Sequence, residues 1–259
     1  MTHEEFDLLM AARGWVVFEH AVPEKLIARL KVDLATKEAE CRSWQVRNGI
    51  AEDTSGSAHH VLGDENSLDE FIAALYLDEF IERWFEGPYI LNSFGASLNR
   101  GRSKGSYLHR MHKDVRSHTH GYRLLLNMLV MLDDFTTANG ATYALSGSHR
   151  TPEKPQEDFF YRYADRLIGP AGSVALFDSN LWHAAGVNSA DTARAALTLT
   201  FSRPFIKQQM DYPRFLGDAY IARMPERVRQ VLGFYARTPS SYDEWYQPRE
   251  TRFYRADQN

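Results

Sequence analysis

The sequence contains a single cysteine, Cys41, among its 259 residues. A disulfide needs two cysteines and a thiolate metal site usually needs more, so the chain can build neither on its own. One isolated cysteine is typical of a protein that works in a reducing compartment. We therefore expect a cytoplasmic protein.

The sequence also lacks long apolar runs and a basic excess. No segment approaches the roughly 20 apolar residues of a membrane span, and the start "MTHEEFDLLMAARGW" lacks the features of a signal peptide. Lys and Arg total 30 against 34 Asp and Glu, for a net charge of −4, and they are scattered. We expect no membrane association and no nucleic-acid partner, and the pattern does not indicate an oligomeric state.

Helix signals dominate the first part of the chain. Thr2 and Glu5 have capping-box spacing, and Ser67 and Glu70 repeat it before "FIAALYLDEFIERWF". Between them, Gly14 can end the first helix before a short strand, "WVVF", and Pro23 can open a second helix. The pattern predicts a mainly helical N-terminal part over residues 1–88.

From residue 89 onward, the pattern changes to short apolar or alternating runs separated by Gly, Asn, Asp and Ser. Such runs are typical of a sandwich or small barrel of antiparallel strands. They are "YILNSFGASLN", "YRLLLNMLVMLDD", "ATYALSG", "GSVALFDS" and "RAALTLTFSRPF". We predict one domain over residues 1–259, mainly β with flanking helices, with the β core at 89–206 and a helical tail at 207–259.

Four of the ten histidines lie in "HRMHKDVRSHTH", which also holds one aspartate. His112 and Asp114 are two residues apart, so on an extended strand they point to the same face and can bind one ion together. Taken alone, the pair also fits a surface loop with a local hydrogen bond. A third candidate, His183, follows the turn-rich segment "FDSN" far along the chain.

Arg194 begins a strand on which it shares one face with Ala196, Thr198 and Thr200. An arginine on the inner face of a β core is costly to bury unless it meets an anion. Two imidazoles and one carboxylate leave positions open on an octahedral ion, as in non-haem Fe(II) oxygenases. The guanidinium fork suits the far carboxylate of a 2-oxo acid, whereas the alternative for Arg194 is an ion pair with Asp191 or another acid.

From "ARGWVVFEHAVPEKLIARL" to "FSRPF", the chain resembles the phytanoyl-CoA dioxygenase family of Fe(II)- and 2-oxoglutarate-dependent oxygenases. The segments "LDDFTTANGATYALSGSH" and "LWHAAGVN" are similar to segments of that family. The resemblance implies a double-stranded β-helix, a cupin-like jelly roll. It also implies that His112, Asp114 and His183 bind Fe(II) and that Arg194 binds 2-oxoglutarate.

The chain departs from the family pattern at two positions. His109 stands where the family often has a glutamine that contacts 2-oxoglutarate, and Ser146 replaces the usual proline before Gly-Ser-His. Histidine can still donate a hydrogen bond, so we expect His109 beside the co-substrate. Related halogenases replace the carboxylate ligand with a small residue, and Asp114 therefore argues against halogenation.

Further residues are assigned to the co-substrate or the substrate. Asn127 and Thr142 are candidates for contact with 2-oxoglutarate, although Asn127 fits equally well as a hydrogen-bond donor to a core carbonyl. The substrate candidates are His60, Arg116, His118 and His120. His59 and His60 lie in a loop between helices that fits either a lid over the site or a simple connection; we expect a connection for both, with His60 the better substrate candidate.

These observations predict a dioxygenase that hydroxylates a C–H bond of a small molecule and releases succinate and CO2. Its cofactor would be Fe(II), with 2-oxoglutarate and O2 as co-substrates. Two alternatives remain open at this point. One is a cupin-type metalloenzyme that does not use 2-oxoglutarate, and the other is a non-catalytic jelly-roll binding module.

Overall fold

The computed structural model describes residues 1–52, 54–101, 109–115, 117–248, 250 and 252. Its strands are β1 (Trp15–Phe18), β2 (Ser57–His59), β3 (Ile90–Asn99), β4 (Leu125–Met131), β5 (Thr142–Ala144), β6 (Asp165–Leu167), β7 (Val174–Asp178), β8 (His183–Ala184) and β9 (Arg194–Ser202). Its α-helices are α1 (His3–Arg13), α2 (Glu24–Arg47), α3 (Ser67–Ala73), α4 (Asp78–Phe85), α5 (Glu157–Tyr163), α6 (Tyr212–Leu216), α7 (Asp218–Ala222), α8 (Glu226–Val231) and α9 (Tyr242–Trp245).

The strands form two antiparallel sheets. The large sheet has the order β1-β7-β4-β9-β3-β2, and the small sheet has the order β6-β5-β8. Leu129 and Ala196 of the large sheet share one apolar cluster with Ala144 and Leu167 of the small sheet, so the two sheets face each other. This mainly β core with flanking helices confirms the predicted fold class.

The two faces of the large sheet have different roles. On β9, Leu197 and Leu199 pack in the same apolar cluster as Leu30 of α2 and Phe71 of α3. The alternate residues of β9, beginning with Arg194, face the small sheet, as the alternation of the sequence predicted. The helices therefore cover the outer face, and the inner face is left for the site.

The N-terminal part supplies both edge strands of the large sheet. β1 pairs with β7, and β2 pairs with β3 so that His59 lies opposite Gly95. β9 ends at Ser202 and the next helix begins at Tyr212. The proposed division into three parts at residues 88 and 206 stays a prediction.

The first predicted capping box is confirmed and the second is wrong. Thr2 and Glu5 cap α1 reciprocally, whereas the box that caps α3 is formed by Asn66 and Asp69. Ser67 instead donates its hydroxyl and its amide to the Asp33 carboxylate of α2. A tertiary contact thus removes Ser67 from competition for the cap position.

The apolar segment that follows Ser67 forms two helices, α3 and α4. Between α3 and α4, Leu75 and Leu77 adopt left-handed φ values of 48° and 63°. Across the described ranges, no helix combines the length and the apolarity required to cross a membrane.

Candidate functional site

Three side chains from distant parts of the sequence converge between the two sheets. His112 and His183 form an antiparallel bridge, in which each amide donates to the other carbonyl over 2.9 and 3.0 Å. Their ring centroids lie 4.3 Å apart. One oxygen of Asp114 lies 3.6 Å from His112 Nε2, and the other lies 3.6 Å from His183 Nε2.

The donor atoms of these residues lie within 4.8 Å of one another. In the part of the chain that the structure describes, no other group of three His, Cys, Asp or Glu residues meets this condition. Two imidazoles and one carboxylate around one point are the ligand set that suits Fe(II) with open coordination positions. The residues present therefore fit a non-haem Fe(II) ion.

Backbone carbonyls orient both imidazoles. His112 Nδ1 lies 2.7 Å from the Arg110 carbonyl, and His183 Nδ1 lies 3.0 Å from the Leu181 carbonyl. Since a carbonyl can only accept, each Nδ1 carries the proton and each Nε2 keeps its lone pair for a metal. Burial, together with the repulsion that a protonated His112 would exert, lowers the pKa of His183 to about 4 and keeps the ring neutral.

Asn127 contacts the carboxylate of Asp114 directly. Its Nδ2 donates to Asp114 Oδ2 over 2.6 Å, and its Oδ1 accepts a hydrogen bond from the Thr200 hydroxyl over 3.0 Å. The sequence placed Asn127 on the inner face of β4, as observed, but assigned it to a co-substrate or a core carbonyl. The observed partner is instead Asp114, one of the candidate metal ligands.

Arg194 lies buried at the start of β9, with 2% of its surface exposed. Its Nη1 donates to the Gly140 carbonyl, and its guanidinium carbon lies 4.0 Å from the centre of the Phe135 ring. Burial and the charge of Arg166 lower the pKa of Arg194 to about 10, so it remains a cation at neutral pH. No carboxylate of the described ranges forms an ion pair with it, which disfavours the structural ion pair with Asp191.

Several polar atoms around Arg194 are buried without a partner. Arg194 Nε, Asn99 Oδ1 and Arg166 Nε have none among the described residues, and Asn99 is the strand neighbour of Arg194. Two of these atoms, Arg194 Nε and Arg166 Nε, are N–H donors, and Asn99 Oδ1 is an acceptor. Buried polar groups are normally paired, so two unpaired guanidinium donors on neighbouring cations indicate a place for an anionic ligand. The residues present therefore fit a carboxylate of 2-oxoglutarate.

This anion site and the three candidate ligands lie beside the same small sheet. The Gly140 carbonyl that Arg194 contacts also accepts the Gly186 amide over 3.2 Å. Gly186 follows His183 by three residues, which is on the order of 10 Å of extended chain. A five-carbon dicarboxylate that chelates a metal at one end can reach a guanidinium at such a distance.

His109 and Thr142 lie near this region. Burial lowers the pKa of His109, and the charge of Arg194 adds to the effect, so His109 is close enough to sense the guanidinium. The carbonyl of His109 accepts a hydrogen bond from the Tyr161 hydroxyl over 2.7 Å. Thr142 is buried on β5, opposite Leu167. Their contacts with a co-substrate stay predictions.

His60 and His59 have different environments. His60 adopts a left-handed φ of 57°, and its Nδ1 lies 3.1 Å from the Tyr212 hydroxyl, which also accepts the Phe94 amide over 2.7 Å. One of these two groups donates to the other, and which one does so depends on the tautomer of the His60 ring. The ring is therefore part of a structural network, and its predicted role towards substrate gains no support from these contacts.

His59 lies on the face of β2 that continues the inner face of the large sheet. It is opposite Gly95 on β3, which is opposite Thr198 on β9. The His59 side chain is exposed, and no hydrogen bond within the described residues reaches its ring. The expected connection between helices is instead a short edge strand at this position.

Two of the remaining substrate candidates, His118 and His120, lie next to each other. The rings of His118 and His120 meet edge to face with centroids 4.8 Å apart, and His118 Nδ1 is buried without a partner within the described chain. His120 is exposed. Arg116 lies outside the described residues, so its assignment stays a prediction.

The fold and the order of these residues match a known family. The family model for phytanoyl-CoA dioxygenase (PhyH) matches residues 10–196. The chain belongs to the phytanoyl-CoA dioxygenase family. All four residues of the predicted metal and co-substrate site lie within the matched range.

Relatives within the phytanoyl-CoA dioxygenase family match parts of the chain. The uncharacterized protein Rv1501 of Mycobacterium tuberculosis is 43% identical over 147 residues, which are 57% of this chain and 54% of that protein. Dioxygenase FUM3 of Gibberella moniliformis is 28% identical over 202 residues, which are 73% of this chain and 63% of that protein. The match to Rv1501 thus spans about half of that protein's length.

Solved structures support the fold of this family member. EctD from S. alaskensis, solved with 2-oxoglutarate and 5-hydroxyectoine, superposes with a TM-score of 0.60 at 18% identity, covering 78% of this chain and 76% of that one. EvdMO1 superposes with a TM-score of 0.61 at 20% identity, covering 78% of this chain and 50% of that one. At these identities the likeness concerns the fold.

Proposed function

We propose that this protein is an Fe(II)- and 2-oxoglutarate-dependent dioxygenase that hydroxylates a C–H bond of a small molecule. His112, Asp114 and His183 would hold Fe(II), and Arg194 would bind the far carboxylate of 2-oxoglutarate. Bound Fe(II) would supply the oxidation in which the substrate C–H becomes C–OH while 2-oxoglutarate and O2 become succinate and CO2.

The observation that carries this proposal is the pairing of two features between the two sheets. Three ligand atoms lie within 4.8 Å, and a buried guanidinium without an acidic partner lies along the same inner surface. A metal site alone would also suit a cupin-type enzyme, but that enzyme has no need for a buried, unpaired arginine. The relative FUM3, which is named as a dioxygenase, and the structure of EctD with 2-oxoglutarate support the same assignment.

The protein's own residues prepare this chemistry by orientation. The carbonyls of residues 110 and 181 hold the two imidazoles with Nε2 free, and Asn127 fixes the Asp114 carboxylate. Phe177 packs edge to face on His183 with centroids 4.9 Å apart, which shields one side of the ring from water. These contacts would hold the ligand atoms in fixed directions around a bound metal.

The inner face near the open edge of the large sheet is suited to a polar substrate. Its partly exposed side chains are hydroxyls and one imidazole, contributed by Ser93, Ser97, Thr198, Thr200 and His59. The opposite half of the same face is apolar, with Leu129 and Phe177 buried against the small sheet. We propose that the substrate enters on the side of β2 and β3.

The test is an anaerobic titration of the Fe(II) protein with 2-oxoglutarate, followed by calorimetry and by the metal-to-ligand absorption band. We expect one bound 2-oxoglutarate, and succinate after O2 is admitted. Asp114→Ala should lose the metal, and Arg194→Ala should keep the metal and bind 2-oxoglutarate weakly. Metal binding without 2-oxoglutarate binding would indicate a cupin-type enzyme, and absence of metal binding would indicate a binding module.

A further inference from the structure

The bridge between His112 and His183 has a second face that the proposed chemistry does not use. In an antiparallel pair, the residues that follow a bridged pair point to the opposite side. Lys113 and Trp182 are therefore neighbours behind the two imidazoles. The Lys113 ammonium lies 5.3 Å from the centre of the Trp182 ring, within the range of a cation–π contact.

Both side chains are tied to one loop, residues 148–153, which we call the anchor loop. Lys113 Nζ donates to the Thr151 carbonyl over 2.9 Å. Trp182 Nε1 donates to the Glu153 carbonyl over 3.2 Å, and the Trp182 amide donates to the Ser148 hydroxyl over 3.0 Å. The anchor loop thus contacts both segments that carry candidate ligands.

The location of the Lys113 charge is unusual for a lysine. Within the described residues, no carboxylate lies at ion-pair distance from its ammonium, which instead contacts a carbonyl and an aromatic face. An unrestrained lysine side chain normally extends into water, because its ammonium is strongly hydrated. The contacts of Lys113 therefore restrain the backbone between His112 and Asp114.

This restraint matters because, among the residues that the structure describes, few backbone hydrogen bonds hold the segment 109–115. Apart from the bridge to His183, the amides of Asp114 and Val115 donate to one carbonyl, that of Ser179, over 3.2 and 3.3 Å. Three ligand atoms must stay within a few ångströms of one point for tight metal binding. Side-chain contacts between the two segments can set that separation.

We propose that Lys113 is a positioning residue of the metal site. Its ammonium, held between the Trp182 ring and the Thr151 carbonyl, fixes the two ligand-bearing segments relative to each other, so that Asp114 and the two imidazoles converge. The inference rests on the proposed function, since it assumes that these residues bind a metal. It adds a residue that touches neither metal nor substrate.

The experiment compares Lys113→Met, Lys113→Arg and the matched control Lys154→Met in the full chain. Methionine keeps the apolar stem and removes the charge, whereas arginine keeps a cation that can stack on an indole and donate to a carbonyl. Lys154 is an exposed lysine that follows the anchor loop. Binding of Co(II) is measured by titration, and its visible spectrum reports the coordination geometry.

We expect Lys113→Met to weaken Co(II) binding by about tenfold or more, as outer contacts of metal sites do, and to change the spectrum. Lys113→Arg should restore the Co(II) affinity and the spectrum, and Lys154→Met should match the wild type in both. The metal-free proteins should all unfold at the same temperature. If Lys113→Met folds poorly, Trp182→Phe, which keeps an aromatic ring but weakens the cation–π contact, should change the spectrum in the same direction.

The outcomes separate this inference from the proposed function. Wild-type protein that fails to bind Co(II) would overturn both. Wild-type binding that Lys113→Met leaves unchanged would overturn only the role of Lys113. A loss of stability in metal-free Lys113→Met, with an unchanged Co(II) spectrum, would assign Lys113 a purely structural role and would also refute the inference.

Discussion

Replacement of Asn127 by leucine should weaken metal binding without removing any ligand. Asn127 is buried and donates to Asp114 Oδ2 over 2.6 Å, while its own oxygen accepts from Thr200. Leucine is close to asparagine in size and cannot donate. Asp114 would then be free to rotate away from the direction that the two imidazoles require.

The magnitude follows from the charge of the acceptor. A hydrogen bond to a charged group contributes about 1.5–3 kcal/mol, which is roughly a 10- to 100-fold change in affinity. Loss of an outer partner of a metal ligand typically has an effect of about the same range. Thr200→Val removes only the neutral bond that orients the Asn127 amide, so it should cost about 1 kcal/mol, or about fivefold.

The assay is a titration with Mn(II), which is stable in air and can be followed by electron paramagnetic resonance. The control is Thr198→Val, since Thr198 lies on the same face of β9 one pleat away and makes no side-chain hydrogen bond within the described chain. Asn127→Leu that binds Mn(II) within about twofold of the wild type would refute the reasoning. Equal effects of Thr198→Val and Thr200→Val would refute the assignment to Thr200.

Four further outcomes are expected. Arg194→Lys keeps a charge but loses the planar fork, so calorimetry should show 2-oxoglutarate binding weakened by about tenfold or more, and an unchanged affinity would contradict a bidentate contact. Tyr212→Phe leaves two buried groups unpaired and should lower the free energy of unfolding in urea by about 1–3 kcal/mol, whereas Tyr246→Phe at an exposed position should not. Burial and the charge of its histidine neighbour lower the pKa of His60 below its usual 6.5, so the unfolded chain binds that proton more readily. The unfolding free energy should therefore fall between about pH 7 and pH 5, and by less in His60→Asn; equal slopes would contradict this. Gly140→Ala adds a side chain at a left-handed φ of 79° and should cost at least about 1 kcal/mol in thermal or urea unfolding, and full stability would contradict the close approach of backbones there.

The comparison of His59 with His60 illustrates where sequence reasoning fails. Both residues lie in "SAHH", and composition gives no reason to prefer one of them for the inner face of the sheet. A shift of one residue in strand register exchanges the two faces of a strand. The pairing of His59 with Gly95 places His59 on the inner face of the large sheet. That pairing depends on a strand 36 positions away in the chain.

The second capping box failed for a related reason. Asn66 and Ser67 are both good helix caps, with Asp69 and Glu70 at the matching positions. The sequence near the helix cannot choose between the two registers. The Asp33 carboxylate on α2 accepts from Ser67 and leaves Asn66 as the cap.

The sequence by itself predicted the fold class, and its resemblance to a known family indicated the four residues of the proposed metal and co-substrate site. Alternation along β9 placed Arg194 inside, and the extended spacing of His112 and Asp114 placed them on one face, because both patterns depend on local backbone geometry. The tertiary structure alone decided which partners these residues meet. Asn127 beside Asp114, Lys113 behind the bridge and His59 at the open edge all depend on strand pairings between segments far apart in the chain, and no local pattern records such pairings.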